Sequence, residues 1–221
     1  MALPNLSGPR HSPESGRAPR QLVILLHGVG SDGNDLIALA PYWAKLLPDA
    51  EFISPHAPYP YDMAPQGRQW FSIRDFSNDF LLAGVREVVP ILDQFIDDQL
   101  ARTGLSDDRV ALVGFSQGTM MGLYVALRHN DRLAGVVGYS GRLIGLGGSR
   151  NSVMSKPPVI MVHGDSDELI PASAMLESTQ KFASLDVAAQ WHICSGLGHS
   201  IDQEGLQIGS KFLRDCFTGM A

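Results

Sequence analysis

The sequence predicts an α/β fold, a mostly parallel central sheet with helices on both faces. Three observations lead there. Short apolar runs bounded by turn residues recur along the chain, helical patterns separate most of them, and a parallel crossover needs a connection of helix length. The 221 residues, 44% hydrophobic and 18% charged, suffice for one substantial core and are too few for two comfortable ones. Residues 1–20 read as a polar arm of the same domain that fills 21–221.

The first strand is the apolar run Gln21 to Leu26. Similar runs follow at Glu51 to Ser54, Arg109 to Gly114, Leu133 to Tyr139, Pro158 to His163 and Val187 to Cys194. The clearest helix spans Phe80 to Arg102, where Leu81, Val85, Val88, Leu92, Phe95, Ile96 and Leu100 return at helical spacing despite Pro90. Other helices are expected after Asp35, Gln117, Ala172 and Ile201. Sites in such sheets gather at the carboxyl ends of the strands. The segment Pro55 to Asp79 breaks this rhythm: it has four prolines and no helical or strand period. Long loops in compact domains are usually functional, so Met63, Trp70 and Phe71, with Tyr59 and Tyr61, are expected to wall a substrate pocket over the sheet edge.

The net charge of -6 arises from 23 acidic and 17 basic residues without a long block of either sign, which gives no attraction to nucleic acid or an anionic membrane. A small molecule is the expected partner. The two cysteines, Cys194 and Cys216, have no metal-type spacing and cannot form a disulfide framework, which fits a reducing cytoplasm. Residues 1–20 lack the apolar stretch of a signal peptide, and no segment has the length of a membrane span, so stable membrane insertion is not expected.

Gly114-Phe115-Ser116-Gln117-Gly118 fits GxSxG, in which a serine is presented on a strained turn between strand and helix. Its context is right: Arg109 to Val113 reads as a strand before it, and Thr119 to His129 as an apolar helix after it. A helix beginning at Gln117 directs free backbone N–H groups at the reacting centre. A serine needs an imidazole to take its proton and a carboxylate to hold that imidazole in the right tautomer. Among the downstream histidines, His129 is expected to cap the helix end, and His163 and His192 lie in strand patterns. Only His199 sits in a glycine-containing loop, Ser195 to Ser200, able to reach across the top of the sheet. The strand Val159 to His163 runs into Gly164-Asp165-Ser166-Asp167-Glu168. Asp165 suits bonding to its own turn, which leaves Asp167 to face the histidine, although spacing keeps both in play.

Two other classes compete. His163, Asp165, Asp167 and His199 could serve as ligands of a water-activating divalent metal, but that leaves GxSxG unexplained. A noncatalytic binder on the same scaffold would be expected to have lost Ser116, Asp167 or His199.

Together these segments resemble the phospholipase/carboxylesterase family of small α/β-hydrolases. The likeness runs through Leu25 to Asp35, Ser54 to Pro58, Gly114 to Gly118, His163 to Pro171 and Gly198-His199. Met63-Ala64-Pro65 and Gly67 to Phe71 look like the bacterial branch. The resemblance implies Ser116 as nucleophile, Asp167 as acid and His199 as base, with no cofactor and no metal. It also implies an oxyanion hole from the backbone N–H groups of Val29 and Gln117; chemistry alone argues only for Gln117. The expected reaction is hydrolysis of a carboxylic ester, lysophospholipid or thioester through an acyl-enzyme. A homodimer is compatible with the resemblance and with the apolar loop. Leu6-Ser7-Gly8-Pro9 also looks like part of the family pattern. Thr119 stands where many members have glycine, and Ser72 where many have aspartate, both where they are expected to alter the pocket wall. His27 reads as a loop-orienting residue.

Overall fold

The computed structural model describes residues 3–145 and 153–221. Seven strands form one sheet in the order β1-β3-β2-β6-β7-β8-β9, with β1 (Arg10–His11) antiparallel at one edge. The others, β2 (Gln21–Leu26), β3 (Ala50–Ile53), β6 (Val110–Phe115), β7 (Gly135–Tyr139), β8 (Val159–Gly164) and β9 (Ala189–Cys194), are parallel. The six expected strands are present, with ends shifted by two residues at most.

Both faces of the sheet are covered, because the central strands are apolar at every position rather than at every second one. Leu22, Ile24, Leu26 and Leu112 face α3 (Asn78–Thr103), α4 (Gln117–Ala126) and α5 (Ala172–Ser184). Val23, Leu25, Ala111 and Val113 face α1 (Gly33–Leu36), α2 (Ala40–Ala44) and α6 (Gln203–Thr218). The α3 helix keeps Pro90 because that residue is exposed, so the carbonyl that loses its partner one turn earlier opens toward water. It stops at Gly104, whose φ of 70° closes the C-cap.

The arm adds more than its polarity suggests. Arg10 and His11 pair with Ile53 and Phe52, and Arg10 shares the buried Glu51 carboxylate and the Gln99 amide with Arg102 of α3. Gly8 is needed there, since a Cβ would lie 2.0 Å from the Ser54 carbonyl oxygen. In the long loop, a small antiparallel ribbon joins β4 (Tyr59–Pro60) to β5 (Arg68–Gln69). Two-residue strands carry no readable period, so neither these nor β1 is legible in the sequence.

His129 caps the helix with its backbone N–H, which donates to Val125 O at 2.8 Å, and not with its side chain. That helix ends at Ala126, and the imidazole instead lies 2.7 Å from Asp107 Oδ1 and 3.5 Å from Asp93 Oδ1. The Asp93 carboxylate beside it outweighs burial and, with Asp107, raises its pKa from 6.5 to about 9. A raised folded-state value stabilises the fold fully below the unfolded pKa and ceases to do so as pH climbs past the folded one. The melting-temperature deficit of His129→Asn should therefore be largest below pH 6.5 and shrink above pH 9. A deficit that grows with pH contradicts this.

Candidate active site

Ser116 lies between β6 and α4 with φ 53° and ψ -115°, a strained conformation for a non-glycine residue. The surroundings hold it there: Ser116 N–H donates to Tyr139 O at 2.9 Å, and Ser116 O accepts from Met120 N–H at 3.2 Å. Both motif glycines are required by close approach. A Cβ on Gly118 would lie 1.8 Å from Leu26 O, and one on Gly114 would lie 2.4 Å from Thr119 N.

Asp167 is buried just beyond β8. Its Oδ1 accepts the Leu169 and Ile170 N–H groups, both at 2.9 Å, and its Oδ2 accepts from His199 Nδ1 at 2.8 Å. Burial pushes its carboxyl upward, but the hydrogen bonds from Ile170 N–H and His199, and the charge of His199, more than offset this, so Asp167 stays below the usual carboxylate range. With Nδ1–H committed to Asp167, a neutral His199 carries its lone pair on Nε2, where it can take a proton from a hydroxyl. The ring packs on Phe115, with centroids 4.9 Å apart.

Ser116 and His199 line one cleft of about 310 Å³. Gly28, Val29 and Gln117 also line it, with Tyr61, Ile73, Phe76, Leu81, Met120, Leu169 and Ile170 as apolar walls. The Ser116 hydroxyl and the backbone N–H groups of Val29 and Gln117 have no hydrogen-bond partners among the described residues. His27 shapes the loop bearing Val29. Its Nε2 accepts from Ala57 N–H at 3.0 Å and its Nδ1 lies 2.8 Å from Gly28 O, an arrangement that requires the neutral Nδ1–H tautomer. Burial lowers its pKa accordingly.

Several expectations change here. Met63 is exposed and lies away from the cleft, while Trp70 and Phe71 are buried and do not line it. Those two aromatics are scaffold: Trp70 Nε1–H donates to His27 O at 2.9 Å, and the Gln117 side chain accepts from Trp70 N–H at 2.8 Å and donates to Phe71 O at 2.7 Å. Thr119 points away from the pocket and donates to Tyr139 O at 2.8 Å. Its methyl occupies the space that a Cβ on Gly138 would need. Ser72 donates to Asp62 at 2.7 Å rather than walling the cleft.

Asp165 bonds within its own turn, accepting from Ser166 Oγ–H at 3.0 Å, as expected. It also reaches beyond its own turn to accept from Gly196 N–H at 2.7 Å and Ser195 Oγ–H at 3.1 Å, which ties the acid turn to the loop carrying His199. Of the four residues considered as metal ligands, Asp165 is therefore turned away, while His163 and His199 meet Asp167 Oδ2 at 3.2 and 2.8 Å.

His163, a structural histidine by its strand pattern, and Ser140 support the site. His163 Nε2 lies 2.7 Å from Ile170 O and 3.2 Å from Asp167 Oδ2, and Ser140, with φ 44°, donates to Ser200 O at 3.3 Å. A histidine ending a strand four residues before an aspartate was the available signal for the first; nothing in the sequence marks the second.

A family model described as phospholipase/carboxylesterase matches residues 13–217. The chain is 27% identical over 195 residues to the esterase YpfH of Escherichia coli K12, covering 88% of this chain and 82% of that one. It is 28% identical over 210 residues to acyl-protein thioesterase 1 of Gibberella zeae, covering 87% and 88%. Among solved structures, esterase PE8 superposes with a TM-score of 0.91 at 40% identity, covering 96% of this chain and 99% of that one.

Proposed function

The chain belongs to the phospholipase/carboxylesterase family of α/β-hydrolases and is an ester-cleaving serine hydrolase, and from that premise we propose that Ser116 is its nucleophile, His199 its base and Asp167 the carboxylate that orients the base. The observation that carries this reading is the Asp167–His199 hydrogen bond of 2.8 Å, in the cleft that also presents the strained Ser116. His199 Nε2 takes the Ser116 proton as Oγ attacks the acyl carbon, and the carbonyl oxygen becomes an oxyanion facing the N–H groups of Val29 and Gln117. Collapse returns the proton to the leaving alcohol or thiol and leaves an acyl-enzyme. Water, deprotonated by the same His199, then releases the acid.

The acyl group lies along Tyr61, Ile73, Phe76, Met120 and Leu169, and the apolar character of that wall supports short to medium carboxylic acyl chains. Lysolipids and acyl thioesters present the same chemistry at the carbonyl. A series of p-nitrophenyl esters tests the reading. With about 0.8 kcal/mol per buried methylene, kcat/KM should rise about four-fold per added carbon until the cleft is full, then level or fall. Activity confined to peptides or phosphate esters contradicts it. A cytoplasmic location fits the free thiols of Cys194 and Cys216, and no helix among the described residues is long and apolar enough to cross a membrane.

A further inference from the structure

The loop carrying His199 runs between the end of β9 at Cys194 and the start of α6 at Gln203. His192 and Cys194, two residues apart on β9, point to the same face of the sheet, the one that α6 covers. Glu204 lies in the first turn of α6. One imidazole nitrogen, the thiol sulfur and one carboxylate oxygen of these three residues all lie within 4.8 Å of one another.

Two further observations concern this cluster. His192 Nε2 lies 3.0 Å from Glu204 Oε1 yet makes no hydrogen bond, and it is screened from solvent without another partner. Donors on a tetrahedral ion at the usual bond lengths stand about 3.3–3.6 Å apart, so this pair has to open by only a few tenths of an ångström to hold one small cation. The second observation is charge. Cys194 is buried, with the carboxylates of Asp202, Glu204 and Asp165 around it. None of those carboxylates forms an ion pair with a lysine or arginine among the described residues. A dication at the focus reverses that balance: the thiol releases its proton to solvent and binds as thiolate, and the carboxylates become attractive.

We propose that His192, Cys194 and Glu204 bind one thiophilic divalent cation of the Zn²⁺ class, which clips together the two ends of the loop bearing His199. Water completes the coordination. Thiolate, imidazole and carboxylate together favour Zn²⁺ over Mg²⁺ or Ca²⁺, which prefer all-oxygen sites. The site is separate from ester hydrolysis and does not depend on the roles given to Ser116 and Asp167. Its contribution is to stability, because a ligand bound only by the folded chain raises the melting temperature.

The test uses Co²⁺ as a spectroscopic stand-in, titrated into the full-length chain. A thiolate-to-cobalt charge-transfer band should appear, vanish on adding Zn²⁺, persist in Cys216→Ser and be absent in Cys194→Ser. His192→Gln, at a half-exposed position that keeps the fold, should bind Co²⁺ at least about ten-fold more weakly, and Zn²⁺ should raise its melting temperature less than that of the wild type. The proposal is overturned if no band forms, if the band survives in Cys194→Ser or disappears in Cys216→Ser, or if His192→Gln binds as tightly as the wild type.

Discussion

Ser116→Ala is expected to lower kcat/KM for p-nitrophenyl acetate by about 10⁴-fold or more. Among the described residues, Ser116 is the only aliphatic hydroxyl lining the cleft, and no thiol lines it. What survives the substitution is binding and oxyanion stabilisation without a covalent route. Folding should be preserved, because alanine meets the same backbone strain at φ 53° and the Ser116 hydroxyl has no hydrogen-bond partner to lose among the described residues. Circular dichroism and a melting curve close to those of the wild type make the kinetic loss interpretable. A folded variant that retains more than a tenth of the activity removes Ser116 from the mechanism.

Asp167→Asn should lower kcat by about 10⁴-fold with a much smaller change in KM. The substitution keeps the shape of the side chain and changes its chemistry. Two backbone N–H groups, of Leu169 and Ile170, point at one oxygen of Asp167, so an asparagine places its carbonyl there and turns its NH₂ toward His199. Nδ1 must then accept rather than donate, which moves the imidazole proton to Nε2, the nitrogen that has to receive the serine proton. The base is present in the wrong tautomer. A loss below ten-fold means that His199 is oriented by something other than this carboxylate.

Local chemistry made much of this legible. Alternation of apolar runs and helical periods located every long element, and the glycines around Ser116 marked a turn that no larger residue fits. His199 could be singled out because a catalytic histidine must reach across the sheet top, and only a loop allows that. The second oxyanion donor we propose, Val29 N–H, is by contrast a backbone group whose direction depends on how the loop after β2 folds, and that loop is set by His27, Ala57 and Trp70 from three separate segments.

The cleft walls were misread for a related reason. Aromatic content at Trp70 and Phe71 signals burial without saying which cavity is filled, and the Gln117 side chain draws both residues into the scaffold. Their place is taken by Phe76 and Leu169, which are 66% and 73% exposed and leave no trace in hydrophobic periodicity. Asp165 looked self-contained because a turn aspartate commonly is. It does accept from Ser166 Oγ–H in its own turn at 3.0 Å, but its further partners, Ser195 and Gly196, are about thirty residues away, brought close by the β8–β9 pairing.

The most direct measurement of the proton relay is intact-protein and peptide mass spectrometry after brief exposure to a fluorophosphonate, comparing wild type with His199→Ala. A single adduct on the peptide containing Ser116, formed at least about 10³-fold more slowly once the imidazole is gone, is the predicted result. An adduct on another side chain, or equal labelling rates in the two proteins, would contradict the account.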